Sequence, residues 1–346
     1  MSAPEAKARP PLPGRRRGVA SAPEHWVVAE GARGGAEAPF VLRPAVEGVD
    51  LVAWARGRSA QVEEWLVRWG AVLFRGFGVR GAADFDALVA ALTPGALPYL
   101  ERSSPRSQVA GNVYTSTDHP PEYPIFLHNE QSYNLAFPRH IFFFCERAAP
   151  RGGATPIGDT RRVYRRLDPA LRERFERQGY LYVRNFGGRL GLAWQEAFQT
   201  TDRAEVERYC RANAIEWAWG PGDRLRTRQV RRAVARHPRT GEPCWCNHAT
   251  FFHVTTLEPA VRDALLGQLG GDELPNNTYF GDGSPIGPEE LEALRAAYLA
   301  ELVRFDWREG DVLMLDNLLM AHGRDPFEGP RRVLTAMATP CRWDDV

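Results

Sequence analysis

At 346 residues, 44% of them hydrophobic, the chain can bury a sizeable core as one large domain or two ordinary ones. Its formal net charge of +1 offers no long-range attraction to nucleic acid or an anionic membrane, and no apolar run approaches the length of a membrane span. Five scattered cysteines, an odd number, exclude a disulfide framework, and Arg15-Arg16-Arg17 lacks the apolar core an export signal needs, so the cytoplasm is the expected compartment.

Residues 1–40 are rich in Pro, Gly, Ala and Arg and read as a mobile leader with a short strand at His25-Trp26-Val27-Val28. Apolar residues at Leu51, Val52, Trp54, Val62, Trp65, Leu66 and Trp69 predict one amphipathic helix from Leu51 to Trp69, ended by Gly70. A strand at Ala71 to Phe77 and a helix at Asp84 to Leu92 follow, the helix stopped at Pro94. Residues 98–124, which include Tyr99, Arg102, Arg106 and Tyr114, form a polar loop of the kind that lines pockets.

That loop feeds the apolar stretch Ile125 to Leu127 and then His128-Asn129-Glu130. On a strand, His128 and Glu130 would share a face roughly 7 Å apart. An imidazole and a carboxylate on an apolar face are costly to desolvate unless a cation, such as a divalent metal, lies between them. The competing reading is a core histidine with a carboxylate partner.

A strand at Ile141 to Cys145 and a tight turn at Gly152-Gly153-Ala154-Thr155 come next. Arg161 to Gln178 is helical and basic, Leu181 to Val183 a strand, and Arg203 to Asn213 a helix. Arg224, Arg226, Arg228, Arg231, Arg232 and Arg236 read as a solvated face, or as a surface for an acidic partner. If Cys244 to Val254 is a strand, Cys244, Cys246 and His248 share a face. A structural metal there lacks the usual knuckle spacing, and buried free thiols are the competing reading. Helices at Glu258 to Leu269 and Pro288 to Leu302 precede a second apolar strand-like run, Asp311 to Arg324, which carries His322; the last strand is Arg331 to Met337. With His322 added, two histidines and one carboxylate make the facial triad of mononuclear non-haem Fe(II) oxygenases.

Strands irregularly interleaved with helices argue against a doubly wound sheet. They suit a jelly roll with flanking helices, residues 41–346 forming one domain and 160–240 a helical insertion or lid before the last core strands.

Several motifs carry a specific resemblance: Thr115-Ser116-Thr117-Asp118, His128-Asn129-Glu130, Gly152-Gly153-Ala154-Thr155-Pro156, Tyr182-Val183-Arg184-Asn185, Phe198-Gln199-Thr200, Gly281-Asp282-Gly283-Ser284, and Asp316-Asn317 with His322-Gly323-Arg324 and Arg331-Arg332. From about Ala71 to Met337 the chain resembles the taurine dioxygenase/TfdA superfamily of Fe(II)/2-oxoglutarate-dependent oxygenases. It is especially similar to the branch containing the syringomycin-pathway aspartyl hydroxylase and clavaminate-synthase-like enzymes. The resemblance implies a double-stranded β-helix, Fe(II) held by His128, Glu130 and His322, and 2-oxoglutarate and O2 as cosubstrates. It also implies that Thr155 and Arg332 receive the distal carboxylate of 2-oxoglutarate. Arg331 is the neighbouring competitor, because alternation lets only one of the two face inward.

A further arginine often found four positions on is Ala336 here, which leaves Arg102 and Arg324 as candidates to hold a substrate anion. Where the branch commonly reads Phe-Asn-Gln this chain has Cys246-Asn247-His248, and no role transfers to His248. The presence of Glu130, which related halogenases lack, implies hydroxylation. The expected substrate is an amino acid or peptide-like intermediate of specialised metabolite biosynthesis, free or tethered to a carrier protein. Desaturation, epoxidation and cyclisation use the same iron site. A non-catalytic jelly-roll binding protein, contacting its partner through the arginine-rich insertion, is the reading from another class.

Overall fold

The computed structural model describes residues 26–30, 38–99, 101, 106–187, 191–269, 271 and 273–346. Most of the expected leader, His25 and Arg102 lie outside the described residues.

An eight-stranded sheet forms the backbone of the molecule. Its order is Val27–Glu30, Phe40–Pro44, Ala71–Phe74, Val312–Asp316, Ala136–Arg147, Arg332–Arg342, Val113–Thr115 and Gln108–Ala110. The central strands are apolar on both faces because both are covered. Phe142 and Phe144 pack outward with Trp54, Leu66 and Phe85 of the helices Leu51–Ala55, Ser59–Trp69 and Gly81–Leu92. Ile141, Phe143 and Cys145, one residue out of phase, point inward and pack with Ile157 and Met320 of a second sheet. That smaller sheet runs Leu302–Val303, Ile157–Asp159, Met320–Arg324 and Ile125–His128, and the two sheets enclose the interior as a jelly roll.

Three expected elements are broken, each for a local reason. The helix read from Leu51 to Trp69 is two helices, parted at Gly57, where φ is +78°. The helix read from Arg161 to Gln178 is Thr160–Arg166 and Pro169–Gln178. Pro169 cannot continue the first helix but starts the second, capped by the Asp168 carboxylate accepting from Ala170 N and Leu171 N. The single run from Asp311 to Arg324 is two strands in different sheets. Asp316 Oδ1 accepts from the backbone N–H groups of Leu318 and Leu319 and turns the chain between them.

The segment 160–240 is also not purely helical. Its strands Tyr180–Phe186, Glu216–Gly220 and Arg224–Arg231 join Asn276–Phe280 in an antiparallel sheet. The cause is visible in Arg224–Arg231, where buried Leu225, Thr227, Gln229 and Arg231 alternate with more exposed Arg224, Arg226, Arg228 and Val230, a period of two. Arg228 pairs with Glu216 and Arg224 with Glu273 at the surface. All five cysteines are buried and free.

Gly323 follows His322 at the point where Met320–Arg324 crosses Ile125–His128. A Cβ there would lie 2.5 Å from Ile125 O, a backbone atom that cannot rotate away. Gly323→Ala is therefore expected to force the two strands apart. Overpacking of this kind costs ~1–3 kcal/mol, which lowers Tm by about 1–4 °C for a chain of this size. Because His322 and His128 are cross-strand partners, any iron held by the pair, as the resemblance implies, should bind more weakly as well, and a melting curve with an iron titration checks both.

Candidate metal centre and its cavity

His128 ends the strand Ile125–His128 and lies opposite His322 in the small sheet, their rings 4.6 Å apart. Glu130 is not on the strand. The chain leaves it at Asn129, and the expectation that alternation aligns His128 with Glu130 does not hold. Asn317 does the aligning instead. Its Oδ1 accepts from Glu130 N at 2.8 Å, and its Nδ2 donates to Glu130 O and Pro138 O at 2.9 and 2.7 Å. Asn129 Nδ2 returns a bond to Asn317 O at 2.6 Å. The turn between the two sheets thus clamps the segment that carries Glu130, a link between residues nearly two hundred positions apart.

One ligating atom from each of His128, Glu130 and His322 lies within 4.8 Å of the other two. Burial, with His322 beside it, pulls the His128 pKa down to about 3, so its imidazole is neutral. Its Nδ1–H donates to Phe126 O at 2.9 Å, which leaves the Nε2 lone pair free. Burial alone would raise the Glu130 carboxyl, but Arg106 and the two histidines hold it well below the usual carboxylate range. An ionised carboxylate and a neutral imidazole, joined by a second histidine, form a donor set that fits Fe(II) and leaves coordination positions open.

A second cluster, Glu63, His140 and Asp316, has a comparable spacing. It already holds its cation: Arg139 Nη2 lies 2.7 Å from Glu63 Oε1 and 3.3 Å from Asp316 Oδ2. Cys244, Cys246 and His248 form no such cluster among the described residues. Burial pushes the Cys244 thiol up to about 12, and His248 turns instead to the cavity wall, its Nδ1 2.7 Å from Ser132 Oγ.

The cavity above the cluster measures about 290 Å³. Phe143, Phe251 and Phe252 give it apolar walls, and Phe251 stacks on His128 at 4.4 Å. No described residue of 160–240 lines it, and the segment His248 to Leu257 supplies that wall.

Arg332 does not face this cavity. It is exposed and paired with Glu146 of the neighbouring strand. Arg331, just before the strand that starts at Arg332, faces in and lines the cavity. Arg331 Nε donates to Gly153 O at 2.9 Å, and its Nη2 lies 3.5 Å from Thr155 Oγ1. The chain can pass so close only because residue 153 is glycine, since a Cβ there would be 2.9 Å from Arg331 Cδ. Among the described residues no carboxylate pairs with Arg331. Burial and then the nearby Arg324 charge lower its pKa to about 10, the mark of a cation that lacks an anion.

Thr155 Oγ1 accepts from Trp307 Nε1 at 3.0 Å, which leaves its own proton to donate. With Arg331 in this place, the residue four positions on is Thr335, whose hydroxyl donates to Phe142 O. Arg324 borders the cavity, but its Nη1 and Nη2 donate to the carbonyls of His119, Pro120 and Tyr123.

Two residues of the centre escaped the sequence reading. Asn317 stood within a quoted motif without a role. Arg106 stood in the polar loop, and only the fold brings its Nη2 to 2.7 Å from Glu130 Oε2.

The family model described as "Taurine catabolism dioxygenase TauD, TfdA family" matches residues 36–337. The chain is 44% identical over 313 residues to the dapdiamide synthesis protein DdaC of Enterobacter agglomerans, covering 87% of this chain and 95% of that protein. It is 31% identical over 283 residues to a clavaminate synthase-like protein of Arabidopsis thaliana, covering 78% and 81%. Among solved structures, PvcB of Pseudomonas aeruginosa shares the fold. That protein, described as an Fe, alpha-ketoglutarate dependent oxygenase from an isonitrile synthetic pathway, matches at TM-score 0.51 and 17% identity over 91% of this chain and 93% of its own. No described helix is long and apolar enough to cross a membrane.

Proposed function

Because this chain belongs to the TauD, TfdA family of dioxygenases, we propose that it hydroxylates an unactivated C–H bond of an amino acid or peptide-like intermediate in specialised metabolite biosynthesis, using Fe(II), 2-oxoglutarate and O2. His128, Glu130 and His322 hold the iron, and Arg331 with Thr155 receives the distal carboxylate of 2-oxoglutarate. The observation that carries this reading is the convergence of two histidines and an ionised carboxylate beside a guanidinium that lacks an anion.

When bound, the iron and the keto acid supply oxygen activation, coupled to decarboxylation of 2-oxoglutarate to succinate and CO2. The protein's own part is placement. Asn317 fixes the backbone of Glu130, and Phe126 O fixes the His128 tautomer. Arg331 offers a guanidinium fork and Thr155 a hydroxyl proton to one carboxylate. Phe143, Phe251 and Phe252 keep water from the space where the C–H bond must sit. Residues 41–346 form one oxygenase domain in this reading.

The name of DdaC, a dapdiamide synthesis protein, supports the biosynthetic setting. The same centre would desaturate, epoxidise or cyclise if the substrate were placed differently. Substrate-stimulated succinate release with Fe(II), across amino acids and peptides offered free and carrier-loaded, tests the assignment. The expected product gains one oxygen atom as a new hydroxyl. An epoxide, a product lacking two hydrogens, or no stimulation by any substrate would overturn hydroxylation.

A further inference from the structure

Among the described residues three guanidiniums border the cavity, those of Arg106, Arg324 and Arg331, against one carboxylate, Glu130. Under the reading above, Arg331 takes the distal carboxylate of the keto acid. Arg324 gives both terminal nitrogens to backbone carbonyls and keeps only Nε unpaired among the described residues, so it has no free fork to offer a carboxylate. Arg106 remains, and its surroundings are unusual for an arginine.

Arg106 is only 8% exposed. Its Cζ sits 4.7 Å over the ring of buried Tyr99, a fixed platform. Its Nη2 donates to Glu130 Oε2, while Nε and Nη1 are buried with no hydrogen-bond partner among the described residues. A guanidinium there solely to neutralise Glu130 would be redundant once a divalent ion binds the same carboxylate. Buried N–H groups left unpaired are costly, so such groups are normally satisfied by something that enters the site. What satisfies a guanidinium best is a carboxylate.

We infer that Arg106 receives a carboxylate of the organic substrate, so that the substrate is an acid seated by that group next to Glu130. The inference rests on the iron and keto-acid reading of the same site. The choice of a carboxylate at this position, rather than at the one four residues beyond Arg331, follows from Thr335 standing there. An amino-acid substrate would be held by its carboxylate, and the bond to be oxidised would lie at a fixed remove from it.

The test uses the full chain with Fe(II) and 2-oxoglutarate, without oxygen, and follows the visible absorbance of the iron–keto acid pair. Matched N-acyl amino acids and their carboxamides are titrated as probes. The wild-type absorbance should respond to one or more acids at least tenfold more tightly than to the matching amides. Arg106→Gln should shrink that preference to threefold or less, and Arg106→Lys, which keeps a charge beside Glu130, should retain part of it. Amides that bind as well as acids, a panel without any binding acid, or an acid preference unchanged in Arg106→Gln would overturn the inference. If both variants lose the absorbance itself, Arg106 serves only Glu130 or the keto acid, and the inference falls while the iron site stands. A wild-type protein without that absorbance takes down the underlying reading as well.

Discussion

Glu130→Ala is expected to abolish iron binding and substrate-dependent succinate formation together. Two effects add. The centre loses its one anionic ligand, and Arg106, 2.7 Å from Glu130 Oε2, is left as a buried unpaired cation. Breaking a buried pair by removing one partner costs roughly 3–5 kcal/mol, so this variant will also melt lower. The double variant Arg106→Met with Glu130→Ala separates the two effects. It removes the orphaned charge and should recover most of the lost thermal stability, yet bind no iron. Iron content after gel filtration and a melting curve decide the matter. Near-normal iron stoichiometry in either variant would remove Glu130 from the metal centre.

The second large effect distinguishes two adjacent arginines. Arg331→Met should raise the concentration of 2-oxoglutarate needed for half-maximal succinate formation by roughly thirtyfold or more. Truncating one side of a desolvated charge pair costs about 2–5 kcal/mol, and each ~1.4 kcal/mol is tenfold. Arg332→Ala should change it by less than about twofold, since an exposed pair such as Arg332 with Glu146 contributes roughly 0–1 kcal/mol. The reverse ranking would return the keto acid to Arg332. Isothermal titration of the metal-loaded protein with 2-oxoglutarate reads the same contrast without turnover.

The exchange of Arg332 for Arg331 shows where sequence reading runs out. Alternation says that one of the pair faces inward, but choosing between them needs an anchor of known direction. The closing strand offers none, because Val333, Leu334, Ala336, Met337 and Ala338 are all apolar and buried. Val333 packs between the sheets while Leu334 and Ala336 pack under the helices. A strand covered on both faces erases the polar alternation that would have marked its inner side.

The strands within 160–240 were hidden for a related reason. Arginines dominate Arg224–Arg231, and their long charged side chains masked a period of two that the buried alternate positions carry.

Much else was legible in one dimension. Motif content sufficed to name the family and the jelly roll, because a family's site demands particular side chains and a covered sheet demands apolar runs. Residue type and local spacing encode such demands directly. What only the tertiary structure decided was which atoms meet: that Glu130 is aligned by Asn317 and not by strand alternation, that Arg331 is the inward guanidinium, and that Arg106 joins the centre. Those contacts span between 24 and 187 residues of chain where they involve Glu130. They exist because two sheets close on one another, and no local propensity specifies how closure superposes their loops.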